Sequence, residues 1–100
     1  MAYRLKFSSR AVREIGEAFT WYEEQSKGLG AEFELAFELQ LKRLEQVPLL
    51  YPEVILGVRR TLLPRFPYGV FYTVKTEVVH VLAVIHHARK PLRWPSVRIR

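Results

Sequence analysis

A chain of 100 residues that is 49% apolar and 13% aromatic fits one folded domain and excludes both a second domain and wholesale disorder. Sixteen Lys/Arg against ten carboxylates give a net charge of +6, and with no cysteine there is neither a disulfide framework nor a thiolate metal site. The start of the chain, Met1 to Phe7, lacks the apolar run of a signal peptide, and the longest apolar stretch, Val78 to Ile85, is too short for a bilayer, so a soluble cytoplasmic protein with no membrane partner is expected.

The charge is unevenly spread. Residues 1–50 hold seven Lys/Arg and eight Glu, whereas residues 51–100 hold nine Lys/Arg against Glu53 and Glu77 alone. A basic C-terminal half on a small domain points to an acidic partner: nucleic acid, a nucleoprotein assembly or an acidic protein segment. A domain of this size buries only about 60–70% of the surface its unfolded chain exposes, so a partner covering further apolar surface stabilises it noticeably.

Tyr3-Arg4-Leu5-Lys6-Phe7 alternates apolar and basic residues and predicts a half-buried strand. Ser8 or Ser9 then caps a helix, because a serine hydroxyl accepts from the free N–H groups of the first turn. Val12, Ile15, Ala18, Phe19 and Tyr22 form its apolar stripe, and Arg10/Glu14 and Arg13/Glu17 stand four residues apart on the other face. Ser26-Lys27-Gly28-Leu29-Gly30 breaks the pattern and predicts a tight connection. A second helix follows from about Ala31 to Gln46, with Phe33, Phe37, Leu41 and Leu44 on one stripe and Leu35 and Leu39 on a second. The first stripe predicts core; the second is further core or a docking surface. Pro48 ends the helix, and Pro52 holds the next loop extended.

The remainder reads as a three-stranded meander. Val58 to Leu63 is its first strand, turned by Pro64-Arg65-Phe66-Pro67; Tyr68 to Val74 is the second; Lys75-Thr76-Glu77 is a short hairpin loop. Val78 to His86 is the third, apolar on both faces and so expected to be central. The order β-α-α-β-β-β predicts an α+β fold, a helical hairpin packed on a mainly antiparallel sheet. One domain over residues 1–100 is expected, with a basic tail from about residue 88.

Three features coincide: this element order at this length, the segment Gly57-Val58-Arg59-Arg60-Thr61-Leu62-Leu63-Pro64-Arg65-Phe66-Pro67-Tyr68-Gly69-Val70-Phe71-Tyr72, and the ending Ala83-Val84-Ile85-His86-His87-Ala88-Arg89-Lys90-Pro91. Together they resemble the RelE/ParE toxin superfamily, and its ParE or plasmid-stabilisation branch in particular, from Tyr3 to about Trp94. The resemblance implies a type II toxin neutralised by a cognate antitoxin encoded beside it, whose disordered C-terminal segment wraps over the toxin. Two targets are open. RelE-like members cut messenger RNA in the ribosomal A site; ParE-like members bind DNA gyrase and trap its cleaved-DNA complex without cutting anything themselves. No cofactor is called for in either case.

For RNA cleavage by 2′-hydroxyl attack a base, an acid and cations around the phosphorane are needed. His86 or His87 could supply the first two, and Arg59, Arg60, Arg65 and Arg89 the third. Neighbours on a strand face opposite ways, so at most one of Arg59/Arg60 can enter a given site. RelE-like nucleases also tend to use a lysine-rich patch or a Glu/His pair with a C-terminal tyrosine; here the tail holds Trp94 and no tyrosine, which counts against cleavage. The gyrase reading requires no catalytic geometry. Its target-binding candidates are Arg65 and, in the tail, Arg89, Lys90, Arg93 and Trp94. Leu35 and Leu39 are the candidates for antitoxin binding. Taken purely as structure, His80 is a partly buried strand histidine, Tyr68, Phe71 and Tyr72 are packing residues, and Arg59 and Arg60 are a solvated strand face. There is no helix-turn-helix or zinc spacing, and three histidines without acid clusters predict no metal site.

Overall fold

The computed structural model describes residues 2–88. In chain order the elements are β1 (Arg4–Phe7), α1 (Ser9–Gln25), α2 (Leu29–Gln46), a 3-10 turn (Pro48–Leu50), β2 (Glu53–Ile55), β3 (Val58–Leu62), β4 (Tyr68–Lys75) and β5 (Val78–His86). The strands form one sheet in the order β1-β5-β4-β3-β2. β1 runs parallel to β5 and every other neighbour pair is antiparallel. The α1–α2 hairpin covers one face of this sheet, so the expected α+β layout is the observed one, with β5 inside the sheet.

Ser8 links the first strand to the first helix. Its Oγ accepts from the Ala11 N–H at 3.0 Å and donates to the Leu82 carbonyl at 2.8 Å, so one hydroxyl caps α1 and pins it to β5. The buried line of α1 is Ala11, Ala18 and Tyr22, with Ile15 packed against the core. Val12, expected in the stripe, is exposed instead: the two alanines select the face that lies closest to the sheet, and Val12 stands about 100° round the helix from Ala11. The Arg10–Glu14 and Arg13–Glu17 pairs form as expected, at 2.8 and 3.8 Å, the second on the solvent side and the first partly buried against β5.

The connection between the helices is tighter than the glycine pattern alone indicates. Gly28 adopts φ +90° and α2 begins at Leu29. The Glu23 carboxylate accepts from the N–H groups of both Gly28 (2.8 Å) and Gly30 (2.9 Å), so α1 supplies the cap for the start of α2. A Cβ on Gly30 would lie 2.7 Å from the Phe19 carbonyl oxygen, which is how closely the helices approach. Phe33, Phe37 and Leu44 of α2 are buried as expected, and Tyr22, Phe33, Phe66 and Tyr68 pack with ring centroids 5.0–5.5 Å apart in their closest pairs.

The sheet departs from expectation in its edge strand, in its hairpin turn and in the side of β5 that faces the helices. The segment after Pro52 pairs as a fifth strand, with Glu53 opposite Arg59 and Ile55 opposite Val58 around an irregular register. The β4–β5 hairpin turns on Thr76 and Glu77 alone, because Lys75 already pairs with Val78; Thr76 takes φ +57°. A bulge at Leu82, between the pairs Phe71/Ala83 and Tyr72/Val81, reverses the alternation of β5. Val79 and Val81 face the helices before it, and Val84 after it. β1 ends at Phe7, so the Val84 N–H has no strand beyond it, and the Glu14 carboxylate accepts from it at 2.7 Å. His80, expected to be partly buried, lies before the bulge on the opposite face and is exposed.

Candidate functional site

The alternation of β3 decides where the two adjacent arginines go. Arg59 lies opposite Tyr72 and Arg60 opposite Phe71, so they project to different faces. Arg59 is not a solvated residue. Its guanidinium donates to the carbonyls of Leu49 (3.3 Å) and Tyr51 (2.5 Å) and sits 3.9 Å from the Glu53 carboxylate. It fixes the chain between α2 and β2.

Behind Arg59 lies a polar network absent from the sequence reading. Gln40 donates to Thr61 Oγ1 at 2.6 Å and to the Tyr51 hydroxyl at 3.1 Å, and Arg43 Nε donates to the same hydroxyl at 2.8 Å. These residues line a groove of about 530 Å³ with Pro52, Arg60 and Leu62–Pro64. Burial acts to raise the Tyr51 pKa, but hydrogen bonds from Arg43 and Gln40 and the Arg43 charge outweigh it and the phenol is lowered. Tyr72 behaves oppositely. Burial pushes it up to about 12 against the pull of Arg59, and its hydroxyl donates to the Pro48 carbonyl at 2.6 Å. One signal in the sequence could have exposed this network: Gln40 interrupts an apolar stripe, three residues after Phe37 and four before Leu44.

Arg60, on the other face, lies against Gly69, whose missing side chain leaves room for the arginine stem: a Cβ there would meet Arg60 Cδ at 3.2 Å and the Phe71 ring at 3.4 Å. Arg60, Phe71, Ile85, His86 and His87 enclose a cavity of about 200 Å³. The structure therefore brings Arg60, His86 and His87 together and leaves Arg59 out. His86 stacks edge-on against Tyr68 at 5.1 Å, its Nδ1 accepts from the Ala88 N–H at 3.0 Å, and it also borders a 390 Å³ cleft lined by Glu14, Glu17, Ala18, Trp21, Tyr68, Val84 and Ile85. His87 is exposed, with its N–H bonded to the Pro67 carbonyl at 2.7 Å.

Arg65 sits in the β3–β4 loop at φ +72°, paired with Glu32 at 3.0 Å and lying 5.4 Å from the Phe66 ring centre. Its side chain is two-thirds exposed, so this ion pair is weak. Leu35 and Leu39 are 57% and 56% exposed on the outer face of α2, which resolves the second stripe as surface rather than core. Arg89, Lys90, Arg93 and Trp94 lie outside the described residues. Among the described residues no three His, Asp or Glu side chains converge to hold a metal ion, and no helix is long and apolar enough to cross a membrane.

Comparison with known proteins adds two findings. The model of the ParE toxin of the type II toxin–antitoxin system parDE matches residues 5–91. A chain of the chromosomal ParDE TA system from P. aeruginosa superposes with a TM-score of 0.76 at 21% identity, over 85% of this chain and 96% of that one. No curated protein sequence matches.

Proposed function

The chain belongs to the ParE toxin family of type II toxin–antitoxin systems, and on that premise we propose that it is a cytoplasmic toxin that inhibits DNA gyrase by binding and is held inert by a cognate antitoxin. What supports the binding reading over a nuclease is the match of residues 5–91 to the ParE toxin model. Arg59 is tied to two backbone carbonyls and a carboxylate on the helix side of the sheet, which leaves Arg60 as the one arginine of the pair beside the histidines. His86 has Nδ1 engaged by the chain's own backbone. What remains is a basic surface with exposed apolar anchors, suited to docking.

On this reading Arg65, together with Arg89, Lys90, Arg93 and Trp94 of the tail, contacts the gyrase complex. Leu35 and Leu39 serve the antitoxin, since two leucines one helical turn apart and more than half exposed form the kind of anchor that an amphipathic partner segment covers. Expression from a tight promoter without the antitoxin tests the proposal. Induction of the DNA-damage response with intact messenger RNA is the expected result. Rapid loss of translated messenger RNA with an undamaged chromosome would contradict it and make Arg60, His86 and His87 the first residues to replace.

A further inference from the structure

The fold separates charge by layer. Residues 8–47, the helical layer, carry five Lys/Arg against eight of the ten Glu in the chain. The sheet face turned away from the helices has the opposite character. Strand register places Arg4 beside Val78 and Val78 beside Lys75 in one cross-strand row, and Lys6 beside His80 and Thr73 in the next. Arg60 and Phe71 continue the same face on β3 and β4. Arg4, Lys6, Arg60, Lys75 and His80 are all exposed. Among the described residues no carboxylate occupies this stretch of the face: Glu53 pairs across from Arg59 on the helix side, and Glu77 lies in the turn at the rim.

Among the described residues Arg4, Lys6, Arg60 and Lys75 meet no carboxylate, so an anionic partner displaces no ion pair to reach them. Adjacent strands are about 4.8 Å apart, so Arg4 and Lys75, two strands apart, are separated by about 10 Å, and their long side chains can engage separate phosphates of a nucleic-acid backbone.

We propose that this face, centred on Arg4, Lys6, Lys75 and Arg60, is a phosphate-backbone surface for duplex DNA. Cations without a carboxylate partner gain from releasing the counterions of a polyanion, while paired cations must first give up their carboxylates. Phe71 is half-buried and, among the described residues, these rows hold no Tyr or Trp, so the bases of a single strand would find only the His80 imidazole to stack on. Contacts of this kind position a protein on DNA without reading sequence. The inference deepens the gyrase reading and rests on it for its setting, a target made of protein and DNA. Its test needs no gyrase, so the two can fail separately.

The test is fluorescence anisotropy of the full chain with a labelled 20-base-pair duplex of mixed sequence at several salt concentrations. K6Q/K75Q removes two exposed, unpaired charges, and R13Q on the helical layer is the control. The double variant is expected to bind about tenfold or more weakly at low salt, with a log–log salt slope shallower by about 2, in line with roughly 0.9 released counterions per contact. The control should match the parent chain. Unchanged affinity and slope in the double variant would overturn the proposal, as would a tighter hold on a single-stranded RNA 20-mer than on the duplex.

Discussion

Two glycines in the helical hairpin should answer the same substitution with opposite signs. Gly30 lies in the first turn of α2 against α1, where an added Cβ would stand 2.7 Å from the Phe19 carbonyl oxygen, 2.9 Å from Glu23 Oε1 and 3.1 Å from Glu23 Cβ. The carbonyl belongs to the backbone of α1 and yields only if the helices part. The carboxylate is also the acceptor for the Gly28 and Gly30 N–H groups, so displacing it uncaps α2. Overpacking of this kind costs about 1–3 kcal/mol, and loss of the cap adds about 1 kcal/mol. The helix propensity of alanine returns at most about 1 kcal/mol. Gly30→Ala should therefore destabilise by about 2 kcal/mol, lowering Tm by roughly 8–16 °C for a domain of this size. Gly16 sits in the interior of α1 with nothing within 4 Å of an added Cβ. Gly16→Ala gains the propensity without a clash and should stabilise by about 0.8–1 kcal/mol. Urea unfolding of both variants, followed by circular dichroism, measures the difference. A Gly30→Ala chain as stable as its parent, or a Gly16→Ala chain less stable, would refute the packing described for the hairpin.

Other consequences are local. Glu14→Ala strips the Val84 N–H of its acceptor and should cost about 1–3 kcal/mol, with faster hydrogen exchange at Val84; Glu14→Gln retains an acceptor oxygen and should keep the protection. Tyr72 ionises at about 12 when folded and near 10 when unfolded, so its neutral form favours the fold below pH 10 and that stability disappears as pH rises from 10 to 12. The loss amounts to at most about 3 kcal/mol at 1.36 kcal/mol per pH unit, and an alkaline unfolding series in which Tyr72→Phe shows the same pH dependence as the parent would contradict it. Replacing both Leu35 and Leu39 with aspartate should weaken antitoxin binding at least tenfold by calorimetry without altering stability; undiminished affinity would remove α2 from the antitoxin surface.

Much of the fold was legible because its signals are short-range. The serine cap and the i,i+4 charge pairs depend on neighbours in the chain and appear where the sequence places them; the glycine break falls there too but is shorter, because α2 already begins at Leu29. β2 was missed because three residues between Pro52 and a glycine turn carry no periodicity; their pairing is fixed by β3 and by the hold of Arg59 on the loop. Val12 and His80 were misplaced for a related reason. Which side of α1 faces the sheet is set by the small Ala11 and Ala18, and which side of β5 faces the helices is set by a bulge that no local pattern announces.

The site divides in the same way. Alternation alone required Arg59 and Arg60 to part, and the structure shows it. The sequence could not reveal that Arg59 would be absorbed by the backbone of a loop, nor that Glu14 and Glu23 would serve as acceptors for N–H groups of other elements. Those are contacts between segments that meet only in the folded chain. The separation of charge into an acidic helical layer and a basic sheet face was half visible, as an imbalance between the two halves of the sequence. Strand register then carried Arg4 and Lys6 from the first half onto the basic face.

A purified cleavage reaction tests the proposed inhibition of gyrase by binding most directly. Gyrase, supercoiled plasmid, ATP and the full chain free of antitoxin are incubated together, and any covalent complexes are then trapped with detergent and protease. The expected result is linear DNA that increases with toxin concentration, requires gyrase, and disappears when antitoxin is added first. Plasmid that stays intact across a concentration range that arrests growth in cells would contradict it.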